Sequence, residues 1–112
     1  MGLIDQEAWS ERLRAFAAER DWERYHTPKN LVMAMSVEMA ELVEHFQWLT
    51  PEESDRLQDD AAKRQAVEEE MADVLLYLLR LADITAVDLD AAMQAKIVKN
   101  AKKHPPAPIT SA

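Results

Sequence analysis

The chain has 112 residues, 21 of them acidic and 13 basic, for a formal charge of −8. That is the length of one domain, and its acidic surface repels phosphate backbones, which argues against a nucleic-acid polymer as partner. One Gly, five Pro and no Cys leave too few turn residues for a sandwich or barrel and exclude disulfides, thiolate zinc sites and a cysteine nucleophile, so an all-α architecture remains.

In chain order, Asp5 caps a first helix over about residues 6–20, with Trp9, Leu13, Phe16 and Ala17 at helical spacing. Met1 to Trp9 has acids and no long apolar run, so it does not read as a signal peptide. No stretch approaches the ~20 apolar residues of a membrane span, and the expectation is a cytoplasmic protein without a membrane partner. Asp21 to Thr27 breaks the periodicity and holds Trp22, Tyr25 and His26. Thr27-Pro28 starts a second helix that runs to about Leu49. Thr50-Pro51-Glu52-Glu53 repeats the signal, with Glu53 placed for a capping box, and opens a short helix or turn. The polar stretch Ser54–Asp60 reads as a flexible loop. A third long helix spans about Ala61 to Ile84, and Asp88 caps a fourth from Leu89 to about Lys103. His104-Pro105-Pro106 stops it, which gives a single domain over 1–104 and a disordered tail over 105–112.

The charge is unevenly placed. All 21 acids and nine of the 13 bases lie at or before Asp90, so that stretch carries −12, while Lys96, Lys99, Lys102 and Lys103 give the rest +4. The lysines either complement a helix C-terminus or meet an anion that the acidic body would repel.

The second helix carries an ordinary apolar stripe, Leu31, Met35, Met39, Leu42, Phe46 and Leu49. Beside it runs another: Ala34, Glu38, Glu41, His45 and Trp48. On the third helix Val67, Met71, Val74, Leu75, Leu78 and Leu81 are flanked by Glu70, Asp73 and Tyr77. Glu38 and Glu41 share one helix face, as do Glu70 and Asp73. Four carboxylates converging between two helices are stable together in ionised form only around a cation. All-oxygen ligation suits Mg²⁺, with Mn²⁺ as a substitute. A di-iron site would want Glu-x-x-His, and His45 falls one place too late after Glu41. Acids on these helices can equally face water, as Glu44, Glu68 and Glu69 are expected to.

These segments together resemble the MazG-like all-α nucleoside triphosphate pyrophosphohydrolases, and among them the dCTP pyrophosphatase branch. The family's E-x-x-E … E-x-x-D signature reads here as Glu38-Met39-Ala40-Glu41 and Glu70-Met71-Ala72-Asp73. Further landmarks are Phe16 to His26, Pro28-Lys29-Asn30-Leu31, Phe46-Gln47-Trp48, Asp73 to Tyr77, and the basic helix Lys96 to Lys103. The resemblance covers roughly residues 10–105. It implies a four-helix bundle completed by oligomerisation, and a reaction in which a nucleoside triphosphate and water give the monophosphate and pyrophosphate. It also implies that Glu38, Glu41, Glu70 and Asp73 hold Mg²⁺ and carry the catalysis, with Glu41 a candidate general base. Trp22, His26, Asn30, Trp48 and Tyr77 would line the nucleoside pocket, and Lys96, Lys99 and Asn100 would meet the phosphates. One departure is Leu13, where relatives carry a polar residue that touches substrate.

A chain this short buries only ~60–65% of its unfolded surface, which favours pairing with copies of itself. The resemblance implies a homodimer or homotetramer, with Trp22, His26 and the metal acids serving one pocket through different subunits. The expected substrate is dCTP or a related pyrimidine deoxynucleotide, and the expected role is cleansing the nucleotide pool. Two alternatives stand: a non-catalytic helical interaction module, and, within the same enzyme class, a phosphoribosyl-ATP pyrophosphohydrolase.

Overall fold

A computed structural model describes residues 2–108. Among them are five α-helices and no strand: α1 Gln6–Glu19, α2 Pro28–Glu44, α3 Pro51–Asp55, α4 Ala61–Ile84 and α5 Leu89–Lys103. Each helix begins on a side-chain cap. Asp5, Thr27, Thr50, Asp60 and Asp88 accept from the backbone N–H three residues on, and Thr50 and Glu53 form the reciprocal capping box.

Two helices end in the same way without glycine. At the end of α1, the N–H of Trp22 donates to Ala17 O and that of Asp21 to Ala18 O, with Asp21 at φ 55°. At the end of α4, Val87 N–H donates to Ala82 O and Ala86 N–H to Asp83 O, with Ala86 at φ 56°. Both are Schellman caps, whose left-handed position is normally glycine. In a chain with a single Gly, Asp and Ala occupy it. The cap at the end of α1 turns Trp22 back onto the helix, where its ring meets Phe16 edge-on at 5.7 Å.

α2 and α4 form an antiparallel pair. His26, just before α2, meets Arg80 near the end of α4, while Glu41 near the end of α2 meets Glu70. α1 also packs on α4, fixed by Arg14–Asp83 at 2.9 Å and by Gln6, which donates to Val87 O and accepts from Leu89 N–H. The apolar core is small: Ala17, Leu31, Leu57, Val67, Leu79 and Ala82. α5 buries none of its residues, so the fourth helix of the expected bundle extends from the other three instead of closing on them.

Three expectations change. The second helix stops at Glu44, and 45–49 form turns, so Phe46 and Leu49 are not on its stripe. The stretch read as a flexible loop is ordered: α3 reaches Asp55, and Leu57–Asp59 make a 3₁₀ turn with Leu57 buried. Leu57 is an apolar anchor inside a polar run, a signal that composition averages away. Met39 and Met71, expected in the core, are exposed. The described part of the expected tail, residues 105–108, is irregular, and 109–112 lie outside the described residues.

The exposed methionines belong to a wider feature. Val32, Met33, Val37 and Val43 on α2, and Met93, Ile97 and Val98 on α5, are exposed as well. The accessible surface is 9144 Å², against roughly 6,300 Å² for a compact monomer of this size. The radius of gyration is 18.0 Å, against about 13 Å expected. No helix among the described residues is long and apolar enough to cross a membrane.

Candidate functional site

Crossing α2 with α4 brings Glu38, Glu41 and Glu70 together, with a carboxylate oxygen of each within 4.8 Å of the others. Glu38 and Glu70 are half-buried and Glu41 is exposed. Burial, followed by the neighbouring carboxylates of Glu70, Glu41 and Asp73, pushes the Glu38 carboxyl up to about 7. Glu70 is raised too, first by burial and then by Glu41 and Asp73, against an opposing effect of Glu38. Its Oε2 is shut off from solvent and has no hydrogen-bond partner. A buried oxygen left in this way is unfavourable unless something positive meets it. Three mutually repelling carboxylates, one with an orphaned oxygen, fit a metal ion, and these residues could hold one.

Asp73 lies one turn beyond Glu70 on α4 and is not within the three-carboxylate group. It joins Glu38 instead in lining an adjacent cavity of about 190 Å³. The other walls are Leu13 and Phe16 from α1, Trp22 and His26 from the segment before α2, and Leu76, Tyr77 and Arg80 from α4. Trp22 and His26 stand with ring centroids 6.1 Å apart, tilted by 57°. Burial and the Arg80 charge hold the His26 imidazole below its usual pKa. The cavity is thus apolar and aromatic on one side and acidic on the other. A second cavity, of about 370 Å³, lies between the start of α1 and the turn before α5. Its polar groups largely satisfy one another through Gln6 and the Arg14–Asp83 pair, and it has no aromatic wall.

Of the residues singled out in the sequence, Glu38, Glu41, Glu70, Asp73, Trp22, His26 and Tyr77 therefore gather at one place, within one chain. Trp22 and His26 line the same cavity as Glu38 and Asp73 of their own chain. Asn30 is elsewhere: its side chain donates to Tyr25 O at 2.9 Å and braces the turn before α2. Trp48 is 86% exposed and stands apart because α2 ends before it. Lys96, Lys99 and Asn100 sit on the projecting α5 and do not line the cavity. Leu13, the position of the departure, does line it. Sequence reading missed Arg80. It continues the stripe of Asp73 and Tyr77 by one further step of three, and that spacing was the available signal.

The MazG-like family model matches residues 33–108. dCTP pyrophosphatase 1 of Homo sapiens is 45% identical over 95 residues, 84% of this chain and 56% of that protein. That of Bos taurus is 44% identical over the same shares. The chain thus spans about half the length of the curated relatives it matches. A crystal structure of a pyrophosphatase from Archaeoglobus fulgidus superimposes with a TM-score of 0.80 at 41% identity, covering 95% of this chain and 97% of that one. The helical order, the acidic cluster and these matches agree, and the chain belongs to the MazG-like family.

Proposed function

We propose that the chain is a Mg²⁺-dependent nucleoside triphosphate pyrophosphohydrolase acting on dCTP or a closely related pyrimidine deoxynucleotide. The observation that carries this reading is the opening of the carboxylate cluster beside an aromatic cavity of the same chain. The names of the curated relatives and of the archaeal structure support it.

Glu38, Glu41 and Glu70 would hold the metal, with Asp73 between it and the cavity. A divalent cation bound there offsets the charge of the triphosphate and acidifies water. The rest of the work falls to the protein. Trp22, Phe16 and Tyr77 supply apolar and aromatic walls on which a base can rest. One carboxylate of the cluster would take a proton from the attacking water, and Glu41, its exposed member, is the candidate. No side-chain nucleophile is needed, because phosphoryl transfer depends mostly on positioning and electrostatics.

Assembly belongs to the same proposal. The surface excess and the exposed apolar residues of α2 and α5 favour association with further copies. In a dimer or tetramer, Trp48 and the lysines of α5 would close over the cavity of a second copy. Sedimentation at micromolar concentration should show no stable monomer.

The deciding experiment incubates the protein with Mg²⁺ and a panel of nucleoside triphosphates. Pyrophosphate and monophosphate should appear from dCTP. Orthophosphate as the only phosphate product, or no turnover on any substrate, would refute the reading. A non-catalytic module has no specific observation in its favour.

A further inference from the structure

Arg80 is only 7% exposed, in the last two turns of α4. A guanidinium taken out of water must find acceptors, and this one has two. Its Nη1 donates to Asp83 Oδ2 at 3.3 Å, and its Nε donates to His26 Nδ1 at 3.2 Å. The same oxygen of Asp83 receives Arg14 Nε at 2.9 Å. A continuous chain of polar contacts thus runs from Arg14 on α1 through Asp83 and Arg80 on α4 to His26 before α2.

The chemistry of this chain has one direction. An arginine keeps its protons in a protein, so the Nε group can only donate. The His26 nitrogen that receives it must be a bare lone pair. The ring is then neutral, and its one N–H is at Nε2. His26 lines the cavity together with Trp22, and with Nδ1 engaged by Arg80 the Nε2–H donor is the hydrogen-bonding group that its ring has left to offer a ligand there. The opposite tautomer would bring an acceptor. The acceptor edge of a pyrimidine, O2 and N3 in cytosine, complements the first arrangement, and an exocyclic amino group would complement the second.

We propose that Arg80 is a positioning residue that locks His26 in the Nε2–H tautomer, so that His26 donates to the acceptor edge of the nucleobase. Asp83, itself held by Arg14, anchors the guanidinium for this task. The inference rests on reading the cavity as the nucleobase pocket. It goes beyond that reading by assigning the polarity of the contact and the residue that sets it.

The direct test is the His26 ring in ¹⁵N-labelled wild-type protein at pH 7.5, read by long-range ¹H–¹⁵N correlation. His26→Gln identifies its signals among those of the three histidines. The pattern of a neutral Nε2–H ring is expected. An Nδ1–H ring or an imidazolium overturns the proposal. This readout needs neither a variant of Arg80 nor turnover, so it holds or fails separately from pyrophosphate release, which tests the parent reading. A second measurement follows KM and kcat for dCTP. Arg80→Met should raise KM about fivefold to tenfold with a smaller change in kcat, as expected when one directed hydrogen bond is lost. Adding Arg80→Met to His26→Gln should raise KM no further. Independent, multiplying effects of the two substitutions would overturn the proposal, since Arg80 would then not act through His26.

Discussion

Glu38 on α2 and Glu70 on α4 bring carboxylate oxygens within 4.8 Å of each other, and Glu70 Oε2 has no hydrogen-bond partner. Burial disfavours the ionised form, and like charges at this distance add to it. The Glu38 carboxyl, raised first by burial and then by its carboxylate neighbours, is pushed up to about 7. A raised carboxyl in the folded state contributes stability that is fully present below its ordinary pKa and is lost as pH rises through the folded value. The metal-free protein should therefore lose thermal stability between about pH 4.5 and 7. Mg²⁺ competes with the proton for the same oxygens, so its stabilisation should be small at pH 5.5 and largest above pH 7. Melting curves with Mg²⁺ and with chelator across this range test both trends. In Glu38→Gln the slope between pH 5 and 7 should flatten. A Tm that ignores Mg²⁺ at pH 8 would argue against a metal in this cluster.

Glu41→Gln and Asp73→Asn each remove one negative charge with almost no change in volume. Both side chains are exposed, and neither substitution should alter the helical circular dichroism signal. Glu41→Gln should lower pyrophosphate release by on the order of 10²-fold or more, the range seen when a group that moves a proton is disabled, and Asp73→Asn should lower it as well. Asp73 lies outside the three-carboxylate group, so Asp73→Asn should weaken Mg²⁺ binding less than Glu41→Gln does. Calorimetric titration with Mg²⁺ makes that comparison, and equal losses would place Asp73 among the metal's direct partners.

Much of this site was legible because helices make spacing into geometry. Glu38 and Glu41, and Glu70 and Asp73, share faces by arithmetic alone, and the caps at Asp5, Thr27, Thr50 and Asp88 bound the helices correctly. What periodicity does not supply is which faces meet and where a helix stops early. α2 ends at Glu44 with no Gly or Pro to announce it, so Trp48 was extrapolated along a helix that had already finished. Met39 and Met71 satisfy a core pattern, yet one chain places no second layer over them. Arg80 was missed for a different reason. A basic residue in an apolar run reads as a solvated exception, and only the fold shows the Asp83 and His26 partners that make its burial tolerable.

Ala86 occupies the left-handed position of the cap that ends α4, at φ 56°. A Cβ there crowds the following carbonyl, at a cost of roughly 1–2 kcal/mol. Glycine would remove the strain while giving back some entropy to the unfolded chain. Ala86→Gly is expected to stabilise the protein by about 1 kcal/mol in urea denaturation, with an unchanged m-value. The Val87 N–H to Ala82 O bond of 2.8 Å should persist. Destabilisation would mean that the Ala86 methyl group makes a favourable contact that outweighs the strain.

Trp22 and Trp48 make opposite structural statements, and they should separate in a kinetic experiment. Trp22 is fixed by the cap of α1, touches Phe16 at 5.7 Å, and lines the cavity of its own chain. Aromatic stacking on a base contributes about 1–3 kcal/mol in single-strand binders, which corresponds to roughly 5- to 150-fold in affinity. Trp22→Ala should raise KM within that range even in a chain held monomeric by charged substitutions on the exposed face of α2. Trp48, at 86% exposure, has no such wall in its own chain. Trp48→Ala should raise KM only in the assembled protein, where a second copy brings the indole over the cavity, and should have no effect in the monomeric background. Equal losses in both backgrounds would show that Trp48 reaches the cavity of its own chain after all. No loss in either would remove it from the pocket.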